Sequence, residues 1–247
     1  MTEEERTVLV VGASSDIGCA LLSKLDGRYV TAFAHCHRSA AKLQALATRL
    51  QALPLRILQA DLGSDADLGR LLQEVRAAAA TPDALVFLAA PKFRLKRFSD
   101  VAWPDFQREI AIQLAPTVAL LEEFLPAMAK RGRGKVVFVL SSVTEGVPPI
   151  GLSPYVTVKQ ALLGLMRSVA AEYSGRHLNI NAVSPSMTQT AFLEELPERM
   201  VEIAAEQSPW RRNATPQDVA GAISFLLSSE ADYITGVNLL VSGGTVF

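Results

Sequence analysis

The chain has 247 residues, 49% of them apolar and 20% charged, enough apolar side chain to fill a core and too much to leave the chain disordered. With 24 Lys and Arg against 25 Asp and Glu, the net charge is −1, which lacks the positive field that backbone-led nucleic-acid binding needs. No apolar run approaches the ~20 residues of a bilayer span, and MTEEERTVLVVG opens with acids where a secretory signal carries bases, so a cytoplasmic protein with no membrane and no nucleic-acid partner is expected.

Short apolar runs alternate with longer amphipathic stretches, the pattern of β-α-β units that build a parallel sheet with helices on both faces. Strands are read near Thr7–Gly12, Tyr29–His35, Leu55–Ala60, Ala84–Ala89, Lys135–Leu140, Leu178–Val183 and Asn238–Val241. Helices are read near 16–25, 39–52, 64–80, 104–130, 154–174 and 216–228. Neither a repeat nor a Pro/Gly-rich linker divides the chain, so one α/β domain over residues 1–247 is expected. Residues 186–214 break the rhythm and read either as a substrate lid or as a pair of packing helices. Cys19 and Cys36 lack metal-ligand spacing and read as small core fillers; no metal is expected.

The first strand runs into Gly12-Ala13-Ser14-Ser15-Asp16-Ile17-Gly18 and then a helix. Gly12 suits a tight turn and Gly18 close packing, while the helix N-terminus offers N–H groups and partial positive charge to a pyrophosphate. Asp16 stands where such turns carry a middle glycine, and capping the helix is the role expected of its carboxylate. An acid that would grip a ribose 2′-hydroxyl is due about 20 residues on. The chain has Ala34-His35-Cys36-His37-Arg38 there instead. One permanent cation and two ionisable imidazoles favour the 2′-phosphate of NADP(H) over NAD(H); the competing reading is a solvated arginine with no ligand.

Tyr155 and Lys159 lie four residues apart at the head of a helical run and share a face. An ammonium beside a phenol is expected to lower the tyrosine from its ordinary value near ~10 and ready it for proton exchange with a carbonyl or alcohol oxygen. Strand five delivers Ser141-Ser142 to the carboxyl edge of the sheet, where either serine can donate to a substrate oxygen.

This ordered set resembles the short-chain dehydrogenase/reductase family, with the resemblance running from Thr7 to Gly244. It rests on the Gly12–Gly18 turn, Asp61-Leu62, Ser142 thirteen residues before Tyr155, Tyr155-x-x-x-Lys159, Asn181-Ala-Val-Ser-Pro185 with Thr190, and Ile234-Thr-Gly236 leading to Gly243-Gly244. The resemblance, with beta-ketoacyl carrier-protein reductases as the nearest type, implies a single doubly wound Rossmann-type domain with a seven-stranded parallel sheet in the order 3-2-1-4-5-6-7. It also implies a nicotinamide cofactor and a homotetramer or homodimer. By the same resemblance Tyr155 is the general acid/base, Lys159 binds the nicotinamide ribose and depresses the tyrosine, and Ser142 orients the carbonyl, with Ser141 its rival. Cofactor contacts carry over to Gly12, Ser14, Ser15, Asp16, Ile17, Gly18, His35, His37, Arg38, Asp61, Leu62, Ala89, Ala90, Tyr155, Lys159, Pro185, Ser186, Thr188 and Thr190.

Three departures surround that site. Phe87-Leu88-Ala89-Ala90 replaces the family's Asn-Asn-Ala-Gly, Gln113 replaces the asparagine of the proton relay, and Pro185-Ser186 replaces Pro-Gly. The leading reading is a reductase that moves hydride from NADPH to a small-molecule ketone, such as a β-keto thioester or a carrier-protein-linked one. A catalytically silent scaffold or regulatory partner is the alternative, and an NAD-linked dehydrogenase running the other way is a third. Lys92, Arg94, Lys96 and Arg97 form a basic strip that fits an acidic substrate or carrier, or simply a solvated loop. Phe93, Leu95, Phe98 and Trp103 read as packing residues, and Met187, Phe192, Leu193 and Leu196 as an apolar pocket wall.

Overall fold

The computed structural model describes residues 6–79, 81–92, 94–194 and 196–247, which leaves the reading of Phe93 outside the described residues. Seven parallel strands form one sheet: β1 Thr7–Val11, β2 Thr31–Cys36, β3 Leu55–Gln59, β4 Ala84–Phe87, β5 Gly134–Val139, β6 Leu178–Pro185 and β7 Asn238–Val241. Their order is β3-β2-β1-β4-β5-β6-β7, as the resemblance implied. Side chains alternate across the sheet, so β1 sends Val8 and Val10 to one core and Leu9 and Val11 to the other. The first core holds side chains of α1 (Asp16–Lys24), α2 (Ala40–Ala47) and α8 (Pro216–Leu226). The second holds those of α3 (Asp65–Ala79), α5 (Ala115–Arg131) and α6 (Ser153–Glu172). Asn181, fully buried, staples β6 to the segment before β7: its Nδ2 donates to the Ile234 carbonyl and its Oδ1 accepts from Val237 N.

The helix expected over 104–130 is broken. α4 (Trp103–Glu109) passes into a π-turn over Ile110–Leu114 before α5 begins. Pro116 supplies the reason: it has no N–H to donate to Ile112, and its ring crowds that carbonyl, so the helix widens just before it. Contrary to the sequence reading, Trp103–Arg131 is by length and composition apolar enough to span a membrane. Leu120, Leu121, Phe124, Leu125 and Met128 nevertheless sit in the core against the sheet, so the apolar character of α5 is that of an inward face.

Residues 186–214 are neither a bare loop nor a pair of core helices. They hold a short 3-10 turn (Ala191–Leu193) and α7 (Glu198–Gln207), which has no buried residue. The two ends are stitched together, since Gln189 N donates to the Ala214 carbonyl at 2.8 Å and Ala214 N to that of Met187 at 2.9 Å. Phe98 and Trp103, expected to pack, are 75% and 64% exposed, and Trp103 stacks on Phe106.

Candidate active site

The carboxyl ends of β1, β4, β5 and β6 bring the predicted residues to one edge of the sheet. Gly12 turns there with φ +85°, and a Cβ on it would lie 2.8 Å from Ala89 N, so no larger residue fits against the Leu88–Ala89 backbone. Gly18 is equally constrained, because a Cβ would stand 2.4 Å from the Ala13 carbonyl. Ser15 caps α1 by accepting from Gly18 N at 3.0 Å, with Ser14 half-buried before it and Ile17 packed toward the core. Asp16 is therefore not the cap. Its Oδ1 accepts from Lys42 Nζ at 2.6 Å and its Oδ2 from Ala191 N at 2.8 Å, tying the glycine turn to the 186–214 segment.

His35 is also corrected. It is buried, its Nδ1 accepts from Gly12 N at 3.1 Å, and Nε2–H donates to the Ala60 carbonyl at 3.0 Å. Burial pushes its pKa down, so it is a neutral brace for the turn and not a cation for a phosphate. His37 and Arg38 do line an open cavity at the end of β2, together with Gln59, Asp61, Asp67 and Arg70. Asp61 is held by its neighbours: its N–H donates to Asp67 Oδ2 and its Oδ1 accepts from Gly63 N, both at 2.9 Å. Leu62 turns its side chain into the core.

Ser153 and Pro154 open α6, which buries Tyr155 and Lys159 on one face against the end of β5. Lys159 Nζ donates to the Val139 carbonyl at 2.9 Å and lies 5.5 Å from the Tyr155 ring centroid. Tyr155 shares a side-chain hydrogen bond with Ser141. The thirteen-residue spacing pointed to Ser142, but that residue opens a 3-10 turn (Ser142–Thr144) with Ser141 as its cap, and Ser141 meets the phenol. Burial pushes Tyr155 up, against the expectation that Lys159 would bring it down, so the phenol carries its proton. Burial pushes Lys159 down to about 8.

The departures have physical readings. Phe87 packs against Phe138 with the rings tilted and their centroids 5.3 Å apart, Leu88 packs against the opposite core, Ala89 lies beside Gly12 and Ala90 is half-buried after it. Gln113, in the π-turn, is buried and donates to Glu109 Oε2 at 2.6 Å. After Pro185, Ser186 N donates to the Val241 carbonyl. The hydroxyls of Thr188 and Thr190 bond to the carbonyls of Ser186 and Thr188. Leu196 is buried, and Phe192, Leu193 and Met187 are half-buried. In the basic strip, Lys96 pairs with Asp105 at 2.8 Å and Lys92 with Glu194 at 3.5 Å. Glu109 and the Asp16–Ala191 link were not anticipated. An acid on the inward face of an amphipathic helix was a readable signal for the first; a contact spanning 175 positions left none.

A glycine turn entering α1 at the edge of a sheet ordered β3-β2-β1-β4-β5-β6-β7 makes this a Rossmann-type dinucleotide-binding fold. The chain belongs to the short-chain dehydrogenase/reductase family: the family model described as "Enoyl-(Acyl carrier protein) reductase" matches residues 12–246. It is 31% identical to Dehydrogenase/reductase SDR family member 4 of Homo sapiens over 97% of this chain and 87% of that protein. An Acetoacetyl-CoA reductase of Allochromatium vinosum is 28% identical, over 97% of this chain and 98% of its own length. The fold also matches a 3-oxoacyl-[acyl-carrier protein] reductase of Brucella melitensis solved with bound NAD (TM-score 0.86, 22% identity, 98% of this chain and 92% of that one). The protein is accordingly an oxidoreductase of the CH–OH/C=O couple, in a family that binds NAD(P).

Proposed function

We propose that the chain is an NADPH-dependent ketoreductase that converts a ketone to a secondary alcohol at a Ser141-Tyr155-Lys159 site. The observation that carries this reading is the meeting of a protonated, buried phenol with a serine hydroxyl and a lysine amine, at the sheet edge that also bears the glycine turn. The turn fits a dinucleotide, because Gly12 lets the chain turn tightly against Ala89 and α1 begins directly behind it. When bound, the reduced nicotinamide supplies the hydride. Ser141 would steady the carbonyl oxygen, Tyr155 would give its proton to that oxygen as it becomes an alcohol, and the Lys159 charge would offset the phenolate left behind.

Arg38, with His37 beside it and Arg70 across the same cavity, supports a 2′-phosphate over a bare ribose. Arg94 and Arg108 line the cavity that reaches Tyr155, which supports a substrate with negative charge on the group that carries it, such as a β-keto thioester borne on a phosphate-bearing or acidic carrier. A cytoplasmic homodimer or homotetramer completes the proposal; Tyr233 and Phe247, both fully exposed in the single chain, are the apolar surface such an assembly would cover.

The test is NADPH consumption with a panel of ketones, including β-keto thioesters, followed by absorbance. The wild type should consume NADPH, and Tyr155→Phe should lose at least about 100-fold, the scale of a general acid's contribution. Equal rates in the two proteins would refute the mechanism. Silence of the wild type, with no NADPH binding by calorimetry, would favour the scaffold reading.

A further inference from the structure

Glu109 ends α4 directly before the π-turn and is only 6% exposed. Its Oε2 takes a 2.6 Å hydrogen bond from Gln113 Nε2, while Gln113 Oε1 is buried with no partner among the described residues. The carboxyl lines the same cavity as Tyr155, and α4 packs on α6. Burial pushes the Glu109 carboxyl up and an amide is a neutral partner, so the ionised form calls for the Gln113 hydrogen bond and for cations within electrostatic reach. Arg108 on α4, Arg94 from the segment after β4 and Lys159 on α6 all act on it; Tyr155 faces it from α6, and Lys96 and Asp105 are paired at the cavity wall. Lys159 is the deepest of these cations, and besides the Tyr155 ring the charge acting on it is Glu109.

We propose that Glu109 is a positioning residue of the reaction: its carboxylate, held by Gln113, keeps Lys159 in the ammonium form that the Tyr155 proton transfer uses. The inference rests on the Ser141-Tyr155-Lys159 reading. Burial and the carboxylate oppose one another at Lys159, the first favouring the neutral amine and the second the charged one. Glu109→Gln keeps the size and the acceptor oxygen facing Gln113 but removes the charge. Ketone reduction needs both the phenol proton and the ammonium, so the loss of rate at high pH should begin at lower pH in that variant.

The direct experiment follows Lys159 by NMR in full-length protein carrying ε-13C-lysine, with its resonance assigned through Lys159→Arg. The wild-type amine should titrate near about 8. In Glu109→Gln the midpoint should fall by about one pH unit, the scale of a nearby opposite charge, and in Glu109→Asp it should return toward the wild type. An unmoved midpoint in Glu109→Gln overturns the proposal. Should that variant not fold, the wild-type resonance itself decides: a second inflection in the acid range, where Glu109 ionises, supports the proposal, and its absence overturns it. The two readings fail separately. An inactive Tyr155→Phe with an unmoved Lys159 midpoint removes only the role of Glu109, whereas an active Tyr155→Phe removes the site reading on which that role depends.

Discussion

Tyr155 shows how spacing and burial divide the information about a site. Four-residue spacing placed it beside Lys159, and the two do share the inward face of α6. The direction of its proton affinity was not legible, because depth in a core is a tertiary quantity, and burial, joined by the Glu109 charge, outweighs the Ser141 hydrogen bond. The Ser141/Ser142 ambiguity has a similar origin: one step of register along β5 exchanges the two hydroxyls, and in the structure Ser141 shares a hydrogen bond with the phenol. His35 misleads for the same reason, since an imidazole beside Arg38 in sequence points the other way in space. Asp16 carries a prediction of its own. Its carboxylate is the acceptor for Ala191 N, so Asp16→Ala should release the start of the 186–214 segment and raise the hydrogen-exchange rate of the Ala191 amide by about 10-fold or more, as for a lost hydrogen bond of ordinary strength. Unchanged exchange would show that the segment is held by other contacts.

Among the elements, strands and long helices were readable from apolar period, and the exceptions have local causes. Pro116 sits inside an apolar pattern that still reads as one helix, because a π-turn shifts the backbone without interrupting the hydrophobic face. α7 was read only within one of two alternatives for 186–214, a pair of packing helices; its pattern is amphipathic, yet none of its side chains is fully buried. α8 was clear, and its start is a capping box: Thr215 Oγ1 accepts from Asp218 N at 3.2 Å while Asp218 Oδ2 accepts from Thr215 N at 2.8 Å. Thr215→Ala should cost about 0.5–2 kcal/mol of stability in urea unfolding; no change would mean that the cap is dispensable. Hydrogen bonding by Arg212 and Thr215 holds Asp218 at about 2, below its ordinary 3.8. A depressed folded-state value stabilises above the unfolded pKa, so the Asp218 contribution should be intact at pH 5 and above and fade as pH falls from about 4 toward 2. Asp218→Asn should flatten the acid-unfolding curve in that window, and an unaltered curve would contradict the assignment.

At the scale of the whole molecule, sheet order and helix layers followed from β-α-β alternation together with the resemblance, and the structure bears both out. What alternation cannot specify is which loops touch. The turn after β1 meets the 186–214 segment through Asp16 and Ala191, and the exit of β5 meets α6 through Val139 and Lys159, contacts between distant parts of the chain. The central claim is that hydride passes to a carbonyl carbon while Tyr155 protonates the oxygen. It is tested most directly by isotope transfer: the protein is incubated with a β-keto thioester and NADPH deuterated at nicotinamide C4 on one face or the other, and separately with the matching NADH. The alcohol is then analysed by mass spectrometry. One of the two NADPH labels should place deuterium on the carbinol carbon, more rapidly than the NADH counterpart, with none above background in Tyr155→Phe. An alcohol free of deuterium from both labels, or one labelled equally fast by Tyr155→Phe, would contradict it.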